Sequence, residues 1–385
     1  MPAARKFDRL GMLLTGAGIL ALTLLPFVVF KSNRIMPGNP EGLWSVLAPT
    51  SALPCLAVLA FAAFTAMRIA DARVRLTVAL LGVVVIAFAV AAAGNALTPP
   101  GNKIVRIAPG SGFWLLLTAL GLLATDAITR LRPRPGARVL FLIAFIIAVG
   151  FAFAHGTFDN LSVMREYSVS ASRFAREVRQ HVWLAFGSLA AAVIVALPVG
   201  ILCHRVPRLR TGILGSLNLI QTIPAIALFG ILMAPLGALA AAVPLAAALG
   251  IRGIGTAPAV IALFLYSLLP IVANTVVGLK RVSPAAVEAA RGMGMTRWQI
   301  LMSVELALAL PVILTGIRIV LVQNIGLVTI AALIGAGGLG TFVFQGIGQT
   351  AIDLVLLGAI PTVALAFSAA VILDALVETI DRGRP

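Results

Sequence analysis

Long apolar stretches separated by short polar breaks fill this chain from about residue 10 to residue 376. About 20 consecutive apolar residues suffice for a helix to cross hydrocarbon. On that unit the pattern predicts spans near 10–30, 43–67, 76–94, 112–128, 139–155, 182–204, 213–235, 257–279, 304–333 and 354–376. The expected fold class is an all-α polytopic membrane protein with about ten transmembrane helices. The polar stretch Gly156 to Gln180 divides it into a region 1–155 of about five helices, a linker 156–181, and a region 182–385 of about five more. Phe174 to Gln180 is amphipathic, which predicts an interfacial helix lying on the membrane ahead of the sixth span. Met1 to Arg9 is basic and Leu10 to Phe30 apolar, as in a signal peptide. That run is too long and lacks a small-x-small cleavage site, so it predicts an uncleaved first helix.

Composition agrees: 61% hydrophobic and 11% charged residues over 385 positions exclude a soluble domain. A net charge of +16 would point to a nucleic-acid partner in a soluble chain, whereas here it reflects arginines gathered on one side of a membrane. With the N-terminus inside, the inner segments carry Arg5, Lys6 and Arg9; Arg68, Arg73 and Arg75; Arg130, Arg132, Arg134 and Arg138; Arg205, Arg208 and Arg210; Lys280, Arg281, Arg291 and Arg297; and Arg382 and Arg384. The outer segments carry about half as many, and Arg165, Arg173, Arg176 and Arg179 among them are partly offset by Asp159, Glu166 and Glu177. Both termini and the Lys280 loop are therefore expected in the cytoplasm, with the chain multi-pass in the membrane.

Reactive chemistry is missing from the sequence. Cys55 and Cys203 lie inside apolar runs, which excludes a disulfide framework and a cysteine metal site. His155, His181 and His204 stand singly near span ends and read as interfacial polar tips. None of Lys6, Lys31, Lys103 and Lys280 follows the glycine frame of a phosphate-binding loop, so no ATP site, catalytic residue, metal or cofactor is expected in this chain.

One polar interruption between apolar helices carries structure of its own, KRVSPAAVEAARGMGMTRWQILMSVE from Lys280 to Glu305. Ser283-Pro284 predicts a helix start with a hydroxyl N-cap. Gly292 and Gly294 stop that helix by supplying left-handed backbone freedom. Thr296 with Gln299 forms a capping box that opens a second helix running into the next span.

Glu288-Ala289-Ala290, three residues, Gly294, and then Val304-Glu305-Leu306 resemble the EAA motif of ABC importer permeases, with pattern EAA, three residues, Gly, nine residues, Ile-x-Leu-Pro. Val304 stands for the isoleucine and Ala307 for the proline; Pro311 follows four residues later. Gln221-Thr222-Ile223-Pro224-Ala225, Tyr266 to Val272, Asn274-Thr275, Val312 to Arg318, Gln323 to Gly326 and Gly335 to Gly340 are similar to the osmoprotectant branch of these permeases, over roughly the C-terminal half. The resemblance implies a type I importer core in 182–385 whose loop 280–304 couples to a cytoplasmic ATPase dimer, with ATP and Mg bound by that partner. Glu288, Ala289, Ala290, Gly292, Gly294 and Arg297 would form the coupling loop. It also implies a second permease subunit, the same or homologous, and a periplasmic or surface-held binding protein that delivers glycine betaine, choline or a similar solute. A quaternary ammonium is best held by an aromatic cage. With four Trp and two Tyr this chain offers none, which leaves selectivity to the binding protein.

Several residues stand out within the spans. Gln221, Asn274, Gln323 and Asn324 are amides in apolar helices, which need partners in a bundle or a wet cavity. With Pro224 they are candidates to line the translocation path, and helix-to-helix hydrogen bonding is the alternative. Pro224, Pro270 and Pro311 are expected to bend or break three successive core helices. Arg318 lies well inside its span and needs a partner; Glu305 is thirteen residues away on the same helix, about 20 Å at the helical rise. Gly335, Gly337 and Gly340 spell G-x-G-x-x-G but follow a membrane helix instead of a strand, so with Gly338 they predict a flexible outer turn and a candidate outer gate, not a nucleotide fingerprint. An importer of another small solute such as an amino acid is the nearest alternative. An ion-coupled carrier would need paired intramembrane acids, yet Glu305, Asp126 and Asp374 lie near predicted helix ends.

Overall fold

The computed structural model describes residues 8–34 and 36–382, without the side chain of Arg382. Arg5, Lys6 and Arg384, used above to orient the termini, lie outside the described residues. Among the described residues nine helices are long and apolar enough to cross a membrane.

The first unit of the chain runs to Arg134 and includes Ile143–Val169. It holds helices α1 (Arg9–Thr23), α2 (Leu43–Val46), α3 (Pro49–Arg68), α4 (Ala72–Leu97) and α5 (Ser111–Leu131), with strands β1 (Val28–Lys31), β2 (Asn39–Glu41) and β3 (Arg106–Pro109). Helix α1 has 15 residues instead of the expected twenty or so, because Pro26 follows its last turn and turns the chain into β1. The strands pair antiparallel in the order β2-β1-β3, a small sheet that hydropathy did not foresee. Val28 and Ile107 bury their side chains within this unit's core.

At the other end of this unit a buried arginine joins four helices. Arg75, 1% exposed, donates to Asp126 at 2.8 Å, to Asp8 at 2.6 Å and to the carbonyls of Ala66 and Ile69. Arg130 closes the ring on both carboxylates at 2.9 Å. Asp8 also caps α1 by accepting from the Gly11 N–H at 3.2 Å. Burial pushes the Asp8 pKa up, but the bonds from Gly11, Arg75 and Arg130 outweigh it and hold the carboxyl at about 2 against an ordinary 3.8. With a folded value below the unfolded one, the stabilisation is complete above the ordinary value and is lost as pH falls toward 2.

The second unit comprises Pro135–Leu142 and the chain from Ser170 onward. Helix α6 (Pro135–Ala154) therefore gives its first turns to this unit, and α7 (Ser162–Arg205) runs through the division. The segment Phe174 to Gln180 is part of α7, one continuous 44-residue helix, so the expected separate interfacial helix is corrected. Neither proline nor glycine occurs between Ser162 and Phe186 to end a helix there.

Then follow α8 (Pro207–Thr222), α9 (Ala225–Ala242), α10 (Pro244–Ala248), α11 (Thr256–Lys280), α12 (Pro284–Gly292), α13 (Arg297–Ile300), a π-helical turn at Leu301–Glu305, α14 (Leu306–Ala331), a 3₁₀ turn at Ala332–Ile334, α15 (Gly340–Gly348) and α16 (Ile352–Arg382). The expected single span 213–235 is two helices, α8 and α9. Pro224 has no N–H to continue the ladder and drives Ile223 into extended backbone. Helix α11 is central to the core and meets α14 so closely that a Cβ at Gly316 would lie 2.8 Å from that of Asn274.

Candidate functional site

The candidate coupling loop is built as its local chemistry dictates. Met295 N–H bonds the Ala290 carbonyl at 3.1 Å and Gly294 N–H bonds that of Arg291 at 2.9 Å, a full Schellman end to α12 with Gly294 at φ +80°. Gly292, by contrast, is an ordinary helical residue, so the left-handed turn is made by Gly294 alone. Ser283 occupies the N-cap position without a capping bond from its hydroxyl. Thr296 and Gln299 form the reciprocal capping box, at 2.8 and 3.3 Å. Ala290 is buried, while Glu288, Ala289, Gly292, Gly294 and Arg297 are exposed.

Two features here were missed. Met293 and Trp298 project from the loop 75% and 66% exposed, large apolar groups legible in hindsight as the odd residues in a polar stretch. A π-turn at Leu301–Glu305 departs from α geometry and ends two residues before Ala307, which stands where the family pattern has its proline. Buried Glu305 in that turn pairs with Arg205 at the end of α7.

The polar groups of the core are mostly turned on one another. Pro270 leaves the Tyr266 carbonyl without its helical N–H, and Gln221 Nε2 donates to that carbonyl at 2.8 Å. The Tyr266 hydroxyl in turn donates to the carbonyl of Ile223, beside the break at Pro224. The two proline disruptions are thus satisfied by each other's neighbours. Asn274 donates to the Pro270 carbonyl of its own helix at 2.8 Å, and the side chain of half-buried Gln323 has no hydrogen bond among the described residues.

Of the two readings of Asn324, the structure shows helix-to-helix hydrogen bonding. Asn324 is 0% exposed and donates to the hydroxyls of Ser188 at 3.1 Å and Ser267 at 3.0 Å, tying α14 to α7 and α11. Both hydroxyls keep bonds to their own helices, at Leu184 and Leu263. Asn324→Leu should therefore cost only about 1–2 kcal/mol of packing. The check is a thermal melt in detergent paired with uptake: a lower midpoint with near-normal transport per assembled protein is expected.

Arg318 has its partner on α16. It pairs with Asp374, whose other oxygen accepts from Arg138 at 2.9 Å, and Arg138 also reaches Glu378 at 2.8 Å. The charge is thus held in a four-membered network instead of facing lipid.

The glycine turn is hydrogen-bonded to α7. Gly335, Gly337 and Gly338 take positive φ, and at Gly340 a Cβ would lie 1.9 Å from the Thr329 carbonyl. One face of α7 holds the turn. Arg173 donates to Gln345 at 2.9 Å, Glu177 accepts from Gly338 N–H at 2.7 Å, Gln180 donates to the Ala336 carbonyl at 3.1 Å, and His181 Nδ1 accepts from Leu339 N–H at 3.2 Å. His181 Nε2 lies 3.0 Å from the Ile325 carbonyl, which can only accept, so the ring is the neutral tautomer protonated at Nε2. It is a buried fastener, not an interfacial tip.

Residues 189–384, just over half of the chain, match the family model of the binding-protein-dependent transport system inner membrane component. The chain belongs to that family. Residues 8–164 match the N-terminal domain of the ABC transporter permease YehY. This permease is 46% identical over 187 residues to the osmoprotectant import permease protein OsmW of Salmonella typhimurium, covering 49% of this chain and 82% of that one. It is 38% identical over 216 residues to the carnitine transport permease protein OpuCD of Listeria monocytogenes, covering 56% and 90%. With the choline transport system permease protein OpuBD of Bacillus subtilis it shares 39% over 209 residues, 54% of this chain and 85% of that one. Among solved structures, an inward-facing MetNI methionine ABC transporter aligns with a TM-score of 0.45 at 23% identity, over 54% of this chain and 95% of that chain. The permease is a multi-pass membrane subunit of an ABC importer.

Proposed function

We propose that this permease imports a small osmoprotectant of the glycine betaine, choline or carnitine class, handed over by a binding protein and driven by a separate ATPase. The shared solute class of its relatives, at 38–46% identity over at least four-fifths of their lengths, carries the reading. An exposed loop with Glu288 and Arg297 around Met293 and Trp298 suits a cytoplasmic ATPase groove, with ATP and Mg bound in that partner. The charge asymmetry supports an inward-facing Lys280 loop and cytoplasmic termini.

Work reaches the membrane through α7 in this reading. One end is paired to the π-turn by Arg205–Glu305, and twenty-four residues away, about 36 Å along the helix, His181 holds the glycine turn proposed as the outer gate. Arg205→Glu should lower ATP-driven uptake several-fold, and the swap Arg205→Glu with Glu305→Arg should restore much of it. Equal uptake in single and swapped variants would rule out this link.

Solute identity is tested by uptake of labelled glycine betaine in cells lacking their other osmoprotectant systems and expressing this permease with its ATPase and binding protein. Saturable uptake competed by choline or carnitine is expected. Import of an amino acid with no uptake of trimethylammonium solutes would replace this reading with the nearest alternative.

A further inference from the structure

Helix α8 presents a polar face that nothing among the described residues covers. Its depth is set at both ends. It starts two residues after Arg205, which pairs with Glu305 of the π-turn, and Gln221 in its last turn bonds Tyr266, fourteen residues or about 21 Å along α11 from Lys280. Sixteen residues span about 24 Å, so α8 climbs from the Lys280 end to the middle of the membrane core and stops at the Pro224 break.

Ile213, Leu217 and Ile220 form one face, packed against the core cluster that includes Leu268 and Val272 of α11. Opposite them, at helical spacing, Thr211, Gly215, Asn218 and Thr222 are exposed, with Leu219 the one large apolar group among them. Lipid-facing helices of this chain look different: α6 exposes Leu140, Phe141, Phe145, Ile146 and Ile147. Thr222 donates its hydroxyl to the Leu219 carbonyl at 2.7 Å, whereas the Asn218 amide has no hydrogen bond among the described residues. An amide at this depth needs water, solute or protein as partner, since hydrocarbon supplies none.

We propose that Thr211, Gly215, Asn218 and Thr222 form a wall of the water-filled translocation path, and that Asn218 is its hydrogen-bonding contact for the passing solute. The inference rests on the importer reading above and adds residues and a solute chemistry to it. Beyond Arg208 the face carries hydroxyls and one amide but no charge, which suits a zwitterion or cation whose own carboxylate or hydroxyl oxygen accepts from the amide. The path therefore lies on the side of α8 away from Gln221 and Asn324, whose amides are already bonded within the bundle.

Single cysteines test this in the full chain with its partners, after Cys55 and Cys203 are replaced by serine. A water-soluble cationic thiosulfonate should label Asn218→Cys and Thr222→Cys at least tenfold faster than Ile194→Cys on the apolar face of α7, and labelling at 218 should block uptake. Rates equal to that at Ile194 would overturn the proposal by placing the face in lipid. Absence of labelling together with efficient bis-maleimide cross-linking of two Asn218→Cys copies would overturn it by making the face a subunit seam. Labelling is read without any solute, so a wrong solute class leaves this outcome standing. Conversely, normal glycine betaine import with an unlabelled Asn218→Cys would sink the path wall alone.

Discussion

Gly294→Val should abolish ATP-driven uptake while leaving the permease in the membrane at near-normal levels. The φ of +80° at the Schellman position is strained for any residue with a Cβ, at a cost of about 1–2 kcal/mol. Apart from its chain neighbours, no atom of the described residues lies within 4 Å of a Cβ placed there, so steric clash adds nothing and the strain stays in an exposed loop. The transmembrane packing is untouched. What changes is the angle between α12 and the Thr296 capping box, and with it the relation of Glu288 and Met293 to Trp298. Gly292→Ala, at an ordinary helical position with open space, should transport almost normally. Uptake assays on vesicles with matched permease levels separate the two, and wild-type uptake in Gly294→Val would show that this loop transmits no work.

The second large effect is on assembly. Arg75→Met removes the guanidinium that Asp8, Asp126 and two helix-end carbonyls share, leaving two carboxylates facing each other with only the half-exposed Arg130 between them. Breaking a buried pair from one side costs on the order of 3–5 kcal/mol. Protease-accessible loops of the first unit and a lower detergent melting point should report it. The triple change Arg75→Met, Asp8→Asn, Asp126→Asn should recover much of the loss, because no buried charge is then left without its partner. A single variant as stable as wild type would contradict this role of the cluster.

What could be read from the sequence follows the range of the interactions. The Schellman end at Gly294 and the box at Thr296 and Gln299 are set by residues within five positions of each other, and both were legible. Pro224 announced a disruption but not its depth, which depends on the bond from Gln221 to a helix 45 residues away. The partner of Arg318 lies 56 residues on and is shared with Arg138, 236 residues from Asp374, so no local pattern could have named it. His181 was misread as an interfacial tip, and the two readings of Asn324 stayed open, for one reason: a polar residue in an apolar run looks the same whether it faces water or fastens neighbouring helices. The small sheet was hidden because strands of three and four residues carry too little alternation to be seen beside long apolar runs.

Reconstitution shows whether an ATPase partner drives import through this chain. The permease, its ATPase and its binding protein are placed in proteoliposomes, and uptake of glycine betaine is measured with ATP supplied on the ATPase side and with no ion gradient. Accumulation should require ATP, loaded binding protein and an intact Gly294. Accumulation driven by a sodium or proton gradient without ATP or binding protein would contradict ATPase-driven import.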